Sequence, residues 1–300
     1  MSGDLNAYRF DGRVAIVTGA GRGLGRAYAL LLASRGARVV VNDLGGSIGG
    51  DGADSDVAAA VVDEITRTGG DAIADTNDVA SAHGAQTLID TALEQFGRVD
   101  VVVNNAGIVR WAGFPEADED NLARHLAVHV GGSFNTTRAA WPHMVEHGYG
   151  RVVMTTSTGL FGLPNNLAYA TAKAGIVGLT RSLATAASRH GITVNAIAPG
   201  AFTRMAGGSG SPEMSPDLVA PIVAFLAHED CPVNGEIYAA GFGRFARIFL
   251  ASTEGWVDDA CEPTIEDVAR HWAEINRERP YSVPTDLGDW SSTFMKHLDR

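Results

Sequence analysis

Cysteine is nearly missing from this chain: Cys231 and Cys261 are the only two in 300 residues. Neither stands in a spacing that could hold a metal, and two thiols build no disulfide scaffold. The expectation is a reducing, cytoplasmic setting and no metal. Cationic residues are scarce as well. The 23 Lys and Arg face 35 Asp and Glu, a formal charge of −12, so the pull that drives non-specific nucleic-acid binding is missing. Long apolar runs are lacking too. Residues 1–10 carry polar and acidic groups and read as neither a secretory signal nor a membrane span. No nucleic-acid or membrane partner is expected.

What is present is an alternation. Short Val- and Ile-rich runs fall at 14–17, 39–41, 72–74, 99–103, 152–154, 194–198 and 237–239. They have the length and composition of buried parallel strands. Helical patterns lie between them, at 24–34, 54–68, 82–96, 119–147, 168–189 and 216–228. This order predicts a Rossmann-like, doubly wound α/β fold, with about seven parallel strands and helices on both faces. Residues 1–250 form one catalytic domain in this reading. Residues 251–300 form a C-terminal helical extension packed on it or on a partner subunit, with an amphipathic helix at 264–279. The Gly/Ser/Pro-rich stretch 201–215 follows a strand and reads as a mobile lid.

Thr18-Gly19-Ala20-Gly21-Arg22-Gly23-Leu24-Gly25 joins the first strand to the first helix. Glycines there let the backbone turn sharply and approach a pyrophosphate, and the helix start favours its charge. The sharper reading of Gly19, Arg22, Gly23, Leu24 and Gly25 is a dinucleotide cradle; the plainer one is a structural turn. Asp43 ends the second strand. A carboxylate there can accept from the adenosine ribose hydroxyls and would repel the extra phosphate of NADP. Arg22 argues the other way, since a cation in the turn could meet that phosphate. NAD is the cofactor expected. Asp78 and Val79 follow the third strand; Asn105, Ala106 and Gly107 follow the fourth. All lie at carboxyl ends of strands, where open α/β sheets bind ligands.

Tyr169 and Lys173 stand four residues apart near the start of a helix and share a face. An ammonium beside the phenol, together with a positive nicotinamide ring, would favour the phenolate and make it a base for an alcohol proton. Alone, such a pair is often a solvated helix surface. Ser157 ends the fifth strand twelve residues earlier, where a hydroxyl can steady a substrate oxygen; Thr156 is the alternative at this position.

In this order, the glycine turn, Asn104-Asn105-Ala106-Gly107, Ser157, Tyr169, Lys173 and Pro199-Gly200 resemble the short-chain dehydrogenase/reductase family from about Phe10 to Phe249. Gly25-Arg26-Ala27-Tyr28-Ala29-Leu30, Val41-Asn42-Asp43-Leu44-Gly45-Gly46 and Thr137-Arg138-Ala139-Ala140-Trp141 resemble, within it, the (3R)-hydroxyacyl-CoA dehydrogenase domain of peroxisomal multifunctional enzyme type 2 and its bacterial relatives. The resemblance implies that Tyr169 is the acid/base, Lys173 its pKa modulator and ribose ligand, and Ser157 the substrate hydroxyl ligand. It puts Pro199, Gly200 and Thr203 near the nicotinamide. It also implies a homodimer or homotetramer through the two long helices. His129 stands where the family usually has Asn, either as a catalytic proton relay or as a packed helix residue.

The substrate implied is a 3-hydroxyacyl-CoA thioester, with Arg110 and Arg204 as candidates for its phosphates and Phe161, Leu163, Phe202 and Met205 lining an apolar cleft. The rival readings are a hydroxysteroid or other free-alcohol dehydrogenase and a non-catalytic NAD-binding scaffold.

Overall fold

A computed structural model describes residues 8–206, 211–258 and 262–299; Cys261 and residues 207–210 of the expected lid lie outside them. Strands and helices alternate as β1 (Val14–Thr18), α1 (Gly23–Ser34), β2 (Arg38–Asn42), α2 (Asp56–Arg67), β3 (Asp71–Asp75), α3 (Ala82–Phe96) and β4 (Val101–Asn104). Then follow α4 (Glu119–His125), α5 (Gly132–His147), β5 (Gly150–Thr155), α6 (Leu167–Ala187), β6 (Ile192–Gly200), α7 (Ala220–Ala227), β7 (Ile237–Gly241) and β8 (Arg244–Ile248).

The strands form one sheet in the order β3-β2-β1-β4-β5-β6-β7-β8. Those from β3 to β7 run parallel. Every residue of β1, β4 and β5 is buried, as expected of strands covered by helices on both faces. The strand order reverses between β1 and β4, which opens a crevice at their carboxyl ends.

The structure corrects the sequence expectation in three places. The sheet has an eighth strand. Phe242 and Gly243, both at positive φ (55° and 74°), link β7 to β8 as a two-residue hairpin, which admits only an antiparallel neighbour. Secondly, the helix expected over 119–147 is interrupted by a π-helical segment, Leu126–Gly131. Thirdly, the expected helix at 264–279 is two short ones, α8 (Ile265–Arg270) and α9 (Trp272–Ile275).

The chain divides into two compact units, the first ending at Arg247 and the second running from Ile248. The second unit also holds the two-stranded pair β9 (Ser252–Thr253) and β10 (Tyr281–Ser282), and α10 (Leu287–Phe294). Among the described residues no helix is long and apolar enough to cross a membrane.

Candidate active site

The turn after β1 is held by its neighbour strand. Thr18 Oγ1 accepts the backbone N–H groups of Asn105 and Ala106, each at 3.0 Å. Asn105 Nδ2 donates to the carbonyls of Thr18 and Gly19, at 2.9 and 3.1 Å. Gly25, in the first turn of α1, lies so close to this turn that a Cβ would be 2.2 Å from Gly19 O. Arg22 stands at the N-cap of α1 in an extended conformation, no side chain caps the helix, and no acid sits in its first turn. Leu24 packs partly against the core. The free N–H groups of that helix start suit an anion.

Asp43 reaches under the turn, its two oxygens accepting from Gly21 N at 2.9 Å and Gly45 N at 2.7 Å. Asp78 shapes the turn after β3 by accepting from Ala80 N at 2.9 Å. Val79 is buried, and Asn135 Nδ2 holds its carbonyl at 3.3 Å. From the β6 side, Pro199 and Gly200 end the strand and Thr203 leans over Gly23, where a Cβ would meet its methyl at 3.3 Å. An uncapped helix start, a glycine cradle and a carboxylate at the end of β2 fit a pyridine dinucleotide.

The phenol and amine share the same rim. Asn166 Oδ1 caps α6 by accepting from Tyr169 N. Ser157 lies beside the phenol: a Cβ on Gly159 would meet Ser157 Oγ at 3.4 Å and Tyr169 Cε1 at 3.6 Å, and Ser157 Oγ accepts from Gly159 N at 3.0 Å. Thr156 is turned away, donating to Lys173 O at 2.6 Å; only Ser157 faces the phenol. Lys173 Nζ donates to Thr155 O at 2.8 Å and lies 5.7 Å from the Tyr169 ring centre. Burial pushes the Lys173 ammonium down to about 7. It also pushes the Tyr169 phenol up, against the opposing pull of the Ser157 hydrogen bond. In the chain alone the phenol is therefore raised, because desolvation outweighs the pull of Ser157.

His129 is fully buried in the π-helical segment, its Nε2 2.9 Å from Ile108 O and 3.3 Å from Ile108 N. Its ring meets Tyr169 edge-on at 5.4 Å. Gly107 runs against it, leaving no room for a side chain: a Cβ would lie 2.6 Å from His129 Cε1. Burial holds His129 well below the usual imidazole range, so it is neutral.

Sequence reasoning missed His125, which stacks on His129 at 5.8 Å. Its Nδ1 donates to Asn121 O at 2.8 Å and its Nε2 accepts from Arg110 N at 3.3 Å. The four-residue spacing of the two histidines was the available signal.

Arg110 is committed elsewhere. Its Nε donates to Gly49 O at 2.7 Å and its guanidinium pairs with Asp51 at 2.8 Å and Asp120 at 3.6 Å. It is not a free cation for a substrate phosphate. Arg204 Nη2 donates to Gly46 O at 3.2 Å. Phe161 is exposed at the rim, with Leu163, Phe202 and Met205 partly buried.

A doubly wound sheet whose switch-point crevice presents a phenol with an amine one helical turn away is the framework of a nicotinamide-dependent oxidoreductase. A family model described as short chain dehydrogenase matches residues 13–212. Peroxisomal multifunctional enzyme type 2 of Drosophila melanogaster is 44% identical over 310 residues, covering 100% of this chain and 51% of that protein. The chain thus spans about half the length of that relative. A crystal structure of a short chain dehydrogenase from Mycobacterium avium matches with a TM-score of 0.80 and 39% identity, over 90% of this chain and 98% of that one. A 7α-hydroxysteroid dehydrogenase solved with NADH and 7-oxo glycochenodeoxycholic acid matches at TM-score 0.72 and 31% identity, over 80% and 97%. The chain belongs to the short-chain dehydrogenase/reductase family and is an oxidoreductase.

Proposed function

We propose that this chain oxidises the hydroxyl of a 3-hydroxyacyl-CoA thioester to a ketone, with NAD as the hydride acceptor. The observation that carries the reading is the Tyr169 phenol and the Ser157 hydroxyl converging over Gly159, with the Lys173 amine held one helical turn away. Ser157 would hold the substrate oxygen, and Tyr169 would take its proton. Lys173, as an ammonium, would favour the phenolate and bond the nicotinamide ribose. Gly19, Arg22, Gly23, Leu24 and Gly25 would cradle the pyrophosphate, Asp43 the adenosine ribose, Asp78 and Val79 the adenine. Asn105, Ala106 and Gly107 would line the crevice, and Pro199, Gly200 and Thr203 would flank the nicotinamide. Bound there, the nicotinamide supplies the hydride acceptor.

NAD rather than NADP follows from Asp43, whose carboxylate would repel a phosphate on the ribose it bonds. Similarity of the whole of this chain to about half of a multifunctional enzyme type 2 supports the thioester. One observation favours a second reading, a hydroxysteroid or other free alcohol: Arg110 is already taken by Asp51 and Asp120.

The assembly proposed is a homodimer or homotetramer through α5 and α6, where Phe134, Trp141, Pro142 and Leu183 line a shallow apolar groove. Residues 251–300 would pack on the domain or on a partner subunit. The test is NADH formation across 3-hydroxyacyl-CoA thioesters, hydroxysteroids and simple alcohols, each with NAD and NADP. Activity on free alcohols alone would overturn the thioester, and equal kcat/KM for both cofactors would overturn the role of Asp43.

A further inference from the structure

Residues 44–54 leave β2 and return to α2 as a closed loop. Its neck is the bond from Asp54 N to Leu44 O at 2.9 Å. Its interior is turned by bonds from Ser47 N to Asp51 O at 2.8 Å and from Gly50 N to Ser47 O at 3.0 Å. Compact loops with closed ends of this kind are frequently functional.

The loop does not stay over its own strand. Val109 N, past the end of β4, donates to Ile48 O at 2.9 Å. Gly50 approaches the same segment so closely that a Cβ would lie 2.8 Å from Ile108 Cγ2. In the sheet, β1 lies between β2 and β4. A loop that starts at the end of β2 and bonds the chain beyond β4 must therefore cross the carboxyl end of β1, above the glycine turn. Arg204, beyond β6, bonds Gly46 O from the far side.

Arg110 fastens this crossing. Its Nε takes Gly49 O and its Nη2 takes Asp51. Arg124 adds a second contact to Asp51 at 3.3 Å and one to Asp120 at 3.1 Å. Asp120 returns to Arg110 at 3.6 Å, closing a four-member ring of charges. Asp51 and Asp120 are about two-thirds exposed, so the ring is open to screening by salt. The backbone of Arg110 is fixed independently: His125 Nε2 accepts its N–H, and Asn121 Nδ2 donates to its carbonyl at 3.1 Å.

We infer that residues 44–54 are a strap across the dinucleotide crevice and that Arg110 is the positioning residue that clasps it, setting how fast the cofactor leaves. The inference rests on the dinucleotide reading proposed above. It gives Arg110 a task on the cofactor side in place of the substrate-phosphate task its sequence position suggested.

The test is NADH release, followed by stopped-flow fluorescence on displacement with excess NAD, in the wild-type chain, Arg110→Gln and Asp51→Asn. Arg110→Gln is expected to speed release about 5–10-fold, as one charge-assisted bond and an exposed ion pair are lost. Asp51→Asn, which leaves the bond to Gly49 O, is expected to speed it about 2-fold. Wild-type release should accelerate with salt, and the acceleration should flatten in Arg110→Gln. KM for the cofactor should rise with the release rate, while KM for the alcohol holds.

Release rates and salt slopes equal to wild type in both variants would overturn the strap. So would a raised KM for the alcohol with unchanged NADH release, which would return Arg110 to the substrate. If Arg110→Gln fails to fold, Asp51→Asn carries the decision, since its side chain is exposed. A wild-type chain that binds no NADH would sink the dinucleotide reading itself; normal binding with insensitive release would sink the clasp alone.

Discussion

The two ends of the central strands treat buried charge in opposite ways. At the amino end, Asp100 accepts from Arg13 at 3.2 Å, from Arg98 at 2.6 and 2.7 Å and from Val14 N at 2.9 Å. Arg151, buried at the start of β5, donates to the carbonyls of Gly150, Gly191, His228 and Glu229. Both Arg13 and Arg151 lie over the Tyr149 ring, at 3.7 and 4.4 Å. At the carboxyl end of the same strand, Lys173 has one bond, to Thr155 O. Thr155 Oγ1, His129 Nδ1 and Asn166 Nδ2 are buried there without a partner. Unsatisfied buried polar atoms are costly and rare. The amino rim pairs its buried charges, though Thr193 Oγ1 there also lacks a partner; the catalytic rim leaves three polar atoms unpartnered, open to a ligand.

The largest effect expected from this contrast is loss of catalysis without loss of fold. Tyr169→Phe removes the proton acceptor and should lower kcat by roughly 10²–10⁴, while the thermal midpoint stays near wild type. NADH formation and a melting curve measure the two. A variant that melts far lower would put the phenol among the residues that hold the fold.

The opposite rim should give the opposite result. Asp100→Ala strands Arg98 and Val14 N around a site that was 1% exposed and leaves Arg13 to Glu229 alone, and the expected cost is about 3 kcal/mol. Denaturant unfolding reads that cost. Activity per folded molecule should hold, and a fall in it would mean that the two rims are coupled.

Smaller, and confined to the catalytic rim, is a pH effect. The Tyr169–Lys173 pair must give up one proton before it can accept another from substrate. Burial brings the amine to about 7 and raises the phenol, so the first proton leaves the pair near that pH. Below it the pair holds both protons and has no base. Alcohol oxidation should therefore fall as pH drops through about 7, and ketone reduction, which needs the proton, should fall as pH rises. Matching kcat/KM profiles in the two directions check this. An oxidation limb near the ordinary phenol value of 10.0 would show that Tyr169 titrates without help from Lys173.

The same contrast explains what was legible in the sequence. The helix at Ala82–Phe96 was readable to the residue, because Ser81 accepts from Gly84 N at its start and Gly97 closes it at φ 78°. The buried parallel strands announce themselves as Val runs. The edge strand β8 does not, since Arg244, Phe245 and Arg247 leave most of it exposed. The π-helical break at 126–131 was hidden too, because it changes the hydrogen-bond register without changing the helical pattern.

At the site, Tyr169 and Lys173 were legible from a local spacing. Ser157 and Thr156 were not separable: neighbours on extended chain point opposite ways, and one residue of slip exchanges them. The hold on Arg110 was not legible, because Asp51, with which it pairs, lies 59 residues away along the chain.

His129 gives the smallest expected effect and the sharpest division between the rims. Its Nε2 is spent on Ile108, which ties the π-helical segment to the chain beyond β4. Burial keeps the ring neutral, with the nearby Lys173 charge pressing the same way. A ring that does not charge is a poor proton relay, and its edge-on contact with Tyr169 offers packing. Asparagine can donate to Ile108 O or accept from Ile108 N, covering whichever of the two the neutral Nε2 does. His129→Asn should therefore leave kcat within about 3-fold, the scale of one retained or weakened neutral hydrogen bond. It should also leave the pH limb near 7 in place. A large loss in kcat with that limb displaced, in a variant that still binds NADH, would make His129 part of the proton path and move it from the supporting shell into the chemistry.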